Sequence, residues 1–100
     1  MNEQKLTGML GLAMRARQAA AGMDACRIMI RSGQCGVLLA DGETAPGTLQ
    51  KAEDLARQSG TPFRVLPAGM ILKATGRDNR IIAVRTGSFA EQMITLLPEQ

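Results

Sequence analysis

Four consecutive apolar residues at positions 37–40, Val-Leu-Leu-Ala, restrict the possible folds of this chain more than any other feature of the sequence. A strand with one face in water alternates apolar and polar side chains, whereas an unbroken apolar run indicates a strand covered on both faces. Such strands lie inside parallel or mixed sheets that have helices on both sides. We therefore predict that residues 37–40 form the central strand of a sheet and that Leu38 is fully buried.

The rest of the chain is divided into short segments by glycine and proline, the strongest breakers of regular structure. Apolar residues recur at helical spacing over residues 3–17, which predicts the first helix. The same reasoning predicts an edge strand at 18–21, helices at 24–32, 48–59, 70–75 and 88–97, and strands at 63–66 and 81–84. Because strands alternate with helices and 100 residues suit one domain, the sequence predicts a single α/β domain over residues 1–100, an α/β/α sandwich.

Polar residues mark the starts of several predicted helices. Asp24 and Thr48 are predicted N-caps, and Ser88 with Glu91 has the spacing of a capping box. Pro98 is predicted to end the last helix. Three apolar side chains of the second helix are predicted to face the core, namely Ala25, Ile28 and Met29.

The composition excludes several classes of site. The chain has two cysteines, Cys26 and Cys35, and no histidine, so it has neither the ligands of a typical zinc cluster nor a cysteine–histidine catalytic pair. We expect both thiols to be reduced and structural. The first residues lack the apolar core of a cleaved leader, and no apolar stretch reaches the roughly 20 residues that cross a bilayer. We therefore expect a cytoplasmic protein without membrane contact.

Asp41 and Glu43 lie near the expected ligand crevice, which in an α/β sheet is found beyond the carboxyl ends of the strands. They could hold Mg²⁺ or act as acid and base. An Asp-Gly pair is also a common way for a chain to leave a strand, and solvated carboxylates are routine there. We favour the turn and therefore predict no catalysis, no metal and no cofactor.

Nine of the twelve basic residues are arginine, whose planar guanidinium suits phosphate. With two phenylalanines and no Trp or Tyr, a base-stacking platform is not expected. Arg27 and Arg31 share a helix face, and the open N–H groups after Gly22 favour a phosphate. Arg77 and Arg80 fall in a polar loop. These residues form one basic surface or are separate solvated side chains, and the residues alone favour neither interpretation.

Several short motifs follow one another in a recognisable order along nearly the whole chain. They are Leu10-Gly11-Leu12-Ala13, Arg15-Ala16-Arg17, Gly22, Ile30-Arg31-Ser32-Gly33, the run at 37–41, Leu72, Gly76, the run at 81–84 and Phe89-Ala90. This order is similar to that of the YlxQ family, bacterial relatives of the L-seven-Ae and L-thirty-e ribosomal proteins. The resemblance implies an L-thirty-e-like α/β/α sandwich with a mixed four-stranded sheet. It also implies a ribonucleoprotein role, the binding of structured RNA, typically kink-turns, without catalysis or cofactor.

The resemblance also implies where RNA binds. The family's kink-turn binders read RNA with a Gly-x-Asn-Glu-x-x-Lys run at the start of helix two, and the matching positions here are Gly22, Asp24, Ala25 and Ile28. Three of these side chains differ from the run, so contacts mainly to backbone phosphates are expected. The implied RNA-binding residues are Arg17, Gly22, Asp24, Arg27, Arg31, Arg77 and Arg80. The implied partners are structured RNA, including ribosomal RNA, and proteins of the ribosome or of RNA processing. The alternative is a protein–protein interaction module that keeps the fold and has lost RNA binding.

Overall fold

A computed structural model describes residues 2–97 of the chain. The helices are α1 (Glu3–Arg15), α2 (Met23–Arg31), α3 (Pro46–Ser59), α4 (Met70–Thr75) and α5 (Ser88–Leu96). The strands are β1 (Ala19–Ala21), β2 (Cys35–Asp41), β3 (Phe63–Leu66) and β4 (Ile81–Arg85). Each predicted helix and strand is present, and β3 and α4 have the predicted bounds. Within residues 2–97, every helix is too short or too polar to cross a membrane.

The strands form one mixed, four-stranded sheet in the order β1-β4-β2-β3. β2 pairs in parallel with β3 and antiparallel with β4, so both of its edges are occupied. β1 pairs antiparallel with β4 at one edge of the sheet. Leu38 lies opposite Phe63 on one side and Ala83 on the other, and it is fully buried. The prediction of a central strand at residues 37–40 with a buried Leu38 is therefore confirmed.

Alternate residues of β2 supply two separate cores. Leu38 and Ala40 pack on one face of the sheet with apolar residues of α2 and α3. Val37 and Leu39 pack on the other face with apolar residues of α1, α4 and α5. Burial of apolar surface on both faces, worth about 25 cal/mol per Å², is the main stabilising contribution to such a sheet. The predicted α/β/α sandwich is confirmed.

The start of α2 differs from the prediction that Asp24 caps this helix. The helix begins at Met23, and the preceding residue, Gly22, has a φ of 97°, which L side chains rarely adopt. No side chain caps this end of the helix. Asp24 is the second residue of α2, and its carboxylate lies 3.4 Å from the guanidinium of Arg27. The predicted cap is wrong because the turn at Gly22 lets the helix begin before the aspartate.

The other two predicted caps are also wrong. α3 begins at Pro46, whose fixed φ and missing N–H suit the first helical position, so Thr48 lies inside the helix. α5 begins at Ser88, and its start has no side-chain cap. The Ser88 hydroxyl instead accepts a hydrogen bond from Gln92 Nε2 at 2.9 Å, so the capping box is absent. The predicted helix end at Pro98 lies outside the described residues.

α1 ends at Arg15, two residues before the predicted end. The N–H of Arg17 donates to Met14 O at 3.1 Å, and the N–H of Gln18 donates to Ala13 O at 2.8 Å. These two bonds form a Schellman motif, whose left-handed position is usually glycine. Arg17 occupies that position with a φ of 58°, the one non-glycine residue with positive φ among residues 2–97. The chain therefore places an arginine where the backbone favours glycine.

Both cysteines are free thiols. Cys26 is buried between α2 and the sheet, where its thiol donates to Ala20 O at 3.6 Å. Burial raises the pKa of Cys26 to about 12 and also raises the pKa of the half-buried Cys35. Because the thiolate is the reactive form, both side chains are poor nucleophiles near neutral pH. The predicted structural role of the two thiols agrees with this burial.

Candidate nucleic-acid interface

The N-terminus of α2 meets the loop between α4 and β4. The N–H of Gly22 donates to Ile81 O at 2.9 Å. A Cβ atom on Gly22 would lie 3.3 Å from Nδ2 of Asn79, so this close approach and the positive φ both favour glycine. We call this region the α2 entry surface and define it by Gly22, Asp24, Arg77, Asn79 and Arg80. The structure thus brings the start of α2 next to the loop between α4 and β4, which we call the late loop.

The first turn of α2 presents backbone N–H groups that no side chain caps. Such groups, together with the helix dipole, favour a bound anion. Asp24 lies in the same turn, and its side chain is 98% exposed. Its carboxylate pairs with Arg27 at 3.4 Å, which balances part of its negative charge. This turn can therefore accept a phosphate, and the negative charge of Asp24 is the one feature of the turn that disfavours a bound anion.

Arg80 connects the late loop to the end of β2. Its Nη1 lies 3.5 Å from Oδ1 of Asp41 and 3.8 Å from Oε2 of Glu43. The side chain of Arg80 is 45% exposed, whereas that of Asp41 is only 2% exposed. The carbonyl of Arg80 also accepts a hydrogen bond from the N–H of Asp41 at 2.8 Å. The two carboxylates therefore hold Arg80 in place and balance part of its positive charge, while the exposed part of its guanidinium remains accessible to a ligand.

Asp41 organises the turn after β2. Its carboxylate accepts hydrogen bonds from the N–H of Glu43 at 2.8 Å and from the N–H of Gly69 at 2.9 Å. Its carbonyl accepts a hydrogen bond from the hydroxyl of Thr44 at 2.6 Å. These bonds agree with the interpretation of Asp41 as a turn residue. Within residues 2–97, no group of three or more His, Cys, Asp or Glu could hold a metal ion.

Arg27 and Arg31 lie beyond the first turn of α2, toward α3. Together with Lys51 they line a shallow groove of about 430 Å³ between the two helices. Arg31 is the last residue of α2, about 12 Å along the axis from Met23 at 1.5 Å per residue. The two arginines therefore share a face, as predicted, and that face extends the α2 entry surface along the helix.

Arg17 lies apart from the α2 entry surface. It precedes β1 whereas Gly22 follows it, so the two residues flank opposite ends of this strand. The carbonyl of Gln18, next to Arg17, accepts a hydrogen bond from the N–H of Arg85 at 2.7 Å, at the end of β4 away from the late loop. The structure therefore does not bring Arg17 together with the arginines of the late loop.

Ile28 is 69% exposed, so the prediction that it faces the core is wrong. The buried side of α2 is formed by Cys26, Met29 and Ile30. At 100° per residue, Ile28 lies about 200° around the helix from Cys26. Met29 is buried and Ala25 is half-buried. The position that the resemblance matches to a lysine is thus on the surface, but it carries an apolar side chain.

Sequence reasoning missed two residues of these surfaces. One is Asn79, which lies in the polar loop between Arg77 and Arg80 and approaches Gly22 only because β1 pairs with β4. The other is Lys51, whose position beside Arg27 and Arg31 depends on how α2 and α3 pack. The only sequence signal for Lys51 was its charge on the polar side of α3.

No protein-family model matches the chain. Its sequence is 29% identical over 91 residues to the RNA-binding protein YlxQ of Bacillus subtilis (strain 168), which covers 89% of this chain and 91% of that protein. Its structure is similar to that of a protein of unknown function from Bacillus halodurans, with a TM-score of 0.84, 26% identity and coverage of 92% of this chain and 95% of that chain. It is also similar to the 15.5kD RNA-binding protein of Giardia lamblia, with a TM-score of 0.73, 8% identity and coverage of 93% and 81%.

These comparisons agree with the order of motifs in the sequence. The match to YlxQ covers most of both chains. The likeness to the Giardia protein, at 8% identity, concerns the fold alone. The chain is therefore similar to YlxQ over most of its length, as its motifs predicted, and its α/β/α sandwich with a mixed four-stranded sheet is similar in fold to the Giardia protein.

Proposed function

We propose that this chain is a non-enzymatic protein that binds structured RNA through the α2 entry surface. The observation that carries this proposal is the similarity to the RNA-binding protein YlxQ over 89% of the chain. The same similarity favours RNA binding over the alternative of a protein–protein interaction module. The structure of the Giardia RNA-binding protein agrees in fold. Kink-turn RNA, including ribosomal RNA, is the proposed ligand in the cytoplasm, with ribosomal or RNA-processing proteins as further partners.

The proposed mode of binding is contact with backbone phosphates. The uncapped first turn of α2 supplies N–H donors and a favourable dipole. Arg77 and Arg80 stand in the adjoining loop as cations. Ala25 and Ile28, in contrast, carry no group that could hydrogen-bond a base edge. Affinity should therefore depend mainly on charge and decrease as the salt concentration rises. The slope of the logarithm of the binding constant against the logarithm of the salt concentration should be about −0.7 to −0.9 per phosphate neutralised.

The test is a titration of the wild type against a kink-turn stem and a plain duplex at several salt concentrations. Arg77→Ala is the informative variant, because Arg80 also contributes ion pairs to the fold. Lys5→Ala is the matched control. It removes one charge at a residue that lies beside α5, and α1 and α5 cover the face of the sheet opposite to α2. We expect Arg77→Ala to weaken binding and reduce the salt slope, and Lys5→Ala to do neither.

Two outcomes contradict the proposal. If the wild type binds neither RNA at low salt, the chain does not bind structured RNA. If both variants weaken binding equally, only the net charge matters and the RNA lies elsewhere than on the α2 entry surface.

A further inference from the structure

A basic groove lies between α2 and α3, next to the α2 entry surface. It is about 430 Å³ in volume, and its lining residues are Arg27, Arg31, Lys51, Asp54, Leu55 and Gln58. The groove thus contains three cations and one carboxylate. No aromatic side chain lines it, so stacking of bases is not its function.

The acidic residues near this groove are already engaged. Asp54 accepts hydrogen bonds from Arg57 and from Gln50 Nε2, the latter at 2.9 Å. Asp24 pairs with Arg27. Within residues 2–97, the ion pairs on α2 and α3 are Asp24–Arg27 and Asp54–Arg57. Arg31 and Lys51 therefore line the groove without a carboxylate partner among these residues. The groove is therefore net positive, and its charge is available to a ligand.

We propose that this groove, which we call the α2–α3 groove, binds the phosphate backbone of the RNA helix that continues from the α2 entry surface. The inference rests on the proposed function. Arg31 lies about 12 Å along α2 from Met23, so one rigid helix connects the two regions. Double-stranded RNA is recognised mostly through its shape, its phosphates and its 2′-hydroxyls, which flexible cations along an open groove can follow.

Two features of the groove favour RNA over an acidic peptide as its ligand. The groove is continuous with the surface proposed for RNA, so one extended polyanion can occupy both. Leu55 is the one apolar side chain of the lining, which leaves no apolar pocket of the kind that anchors a peptide side chain. A consequence is that the length of the RNA stem, and not only the kink, contributes to affinity.

The experiment compares two kink-turn RNAs that differ only in stem length, each titrated over a range of salt. Lys51→Ala is the test variant, because Lys51 is exposed on α3 and alanine is a good helix former. Lys51→Glu reverses the charge, and Lys5→Ala is the control on the opposite face. Thermal unfolding of each variant establishes that the fold is retained.

We expect the wild type to bind the long stem more tightly than the short one. In the Lys51→Ala variant, the difference in affinity between the long and the short stem should be much smaller. The salt dependence of binding to the long stem, as the slope of log affinity against log salt, should fall in magnitude by about 0.7–0.9, the value for one phosphate contact. Lys51→Glu should have a larger effect, and Arg27→Ala with Arg31→Ala should act in the same direction. Binding of the short stem should change little in the Lys51 variants.

If Lys51→Ala and Lys51→Glu bind the long stem as the wild type does while Arg77→Ala weakens both RNAs, the groove proposal is wrong and the proposed function stands. If the wild type binds neither RNA, the proposed function fails, and the groove proposal fails with it. If an acidic peptide binds with an affinity that depends on Lys51 while RNA binding does not, the groove serves a protein partner.

Discussion

Replacing Arg17 by glycine should make this protein more stable, because Arg17 holds the left-handed position of the Schellman motif that ends α1. Its φ is 58°, and the bonds to Met14 O and Ala13 O require the chain to turn there. A Cβ atom in this conformation approaches the following carbonyl oxygen. Glycine has no Cβ and adopts the conformation readily. The perturbation thus relieves a local strain without altering either core.

The size of the effect is a difference between two opposing contributions. The left-handed conformation costs an L residue about 1–2 kcal/mol. Glycine loses about 0.5–1 kcal/mol more conformational free energy on folding than alanine does. At the midpoints of these two ranges, the net gain in the free energy of unfolding is about 0.75 kcal/mol, within outer limits of about 0 and 1.5 kcal/mol. For a domain of this size, the midpoint corresponds to an increase in Tm of roughly 3–6 °C.

The assay is urea and thermal unfolding of the wild type, Arg17→Gly and Arg17→Ala. Arg17→Ala is the matched control, because it removes the same charge and side chain but keeps the Cβ atom. We expect Arg17→Gly to be the most stable of the three, and Arg17→Ala to be close to the wild type. Equal stability of the glycine and alanine variants would show that Arg17 is not strained at this position. Since Arg17 is remote from the late loop, both variants should weaken RNA binding less than Arg77→Ala does.

Three further perturbations test the core, the thiols and the entry surface. Leu38→Ala should lower the free energy of unfolding by about 2–5 kcal/mol, because Leu38 is fully buried in the central strand; a smaller loss in urea unfolding would contradict this packing. Burial raises the pKa of Cys26 from 9.0 to about 12, so the folded state favours the neutral thiol; this contribution to stability is present below pH 9 and should be lost as the pH rises toward 12. Cys26→Ala should therefore lose less stability between pH 8 and alkaline pH than the wild type, while RNA binding at neutral pH is unchanged; equal losses would oppose this account. Asp24→Asn, Ala25→Glu and Ile28→Lys together should increase the preference for a kink-turn over a duplex, since they restore the side chains of the resembled run; an unchanged ratio of the two Kd values would count against that match.

The sequence predicted the sandwich because its strongest signals are independent of tertiary contacts. An unbroken apolar run requires cover on both faces, which located β2 and the burial of Leu38. Gly60 and Gly76 both adopt positive φ at helix ends, which explains why the ends of α3 and α4 were predicted correctly. The caps failed because glycine or proline set the helix start before the polar residue was reached. At α2 this was Gly22, and at α3 it was Pro46.

The candidate surface was predicted only in part, because charge and exposure are set by tertiary contacts. Arg80 is held by Asp41, a residue 39 positions away whose only sequence signal is that of a turn. The apolar side chain of Ile28 predicts a core position, yet in a helix of nine residues the buried side is the one that meets the sheet. Lys51 joins Arg27 and Arg31 because α2 and α3 lie on the same face of the sheet. An α/β/α sandwich therefore determines which basic residues become neighbours, and the extended positive surface along α2 follows from the layer arrangement rather than from any local run of basic residues.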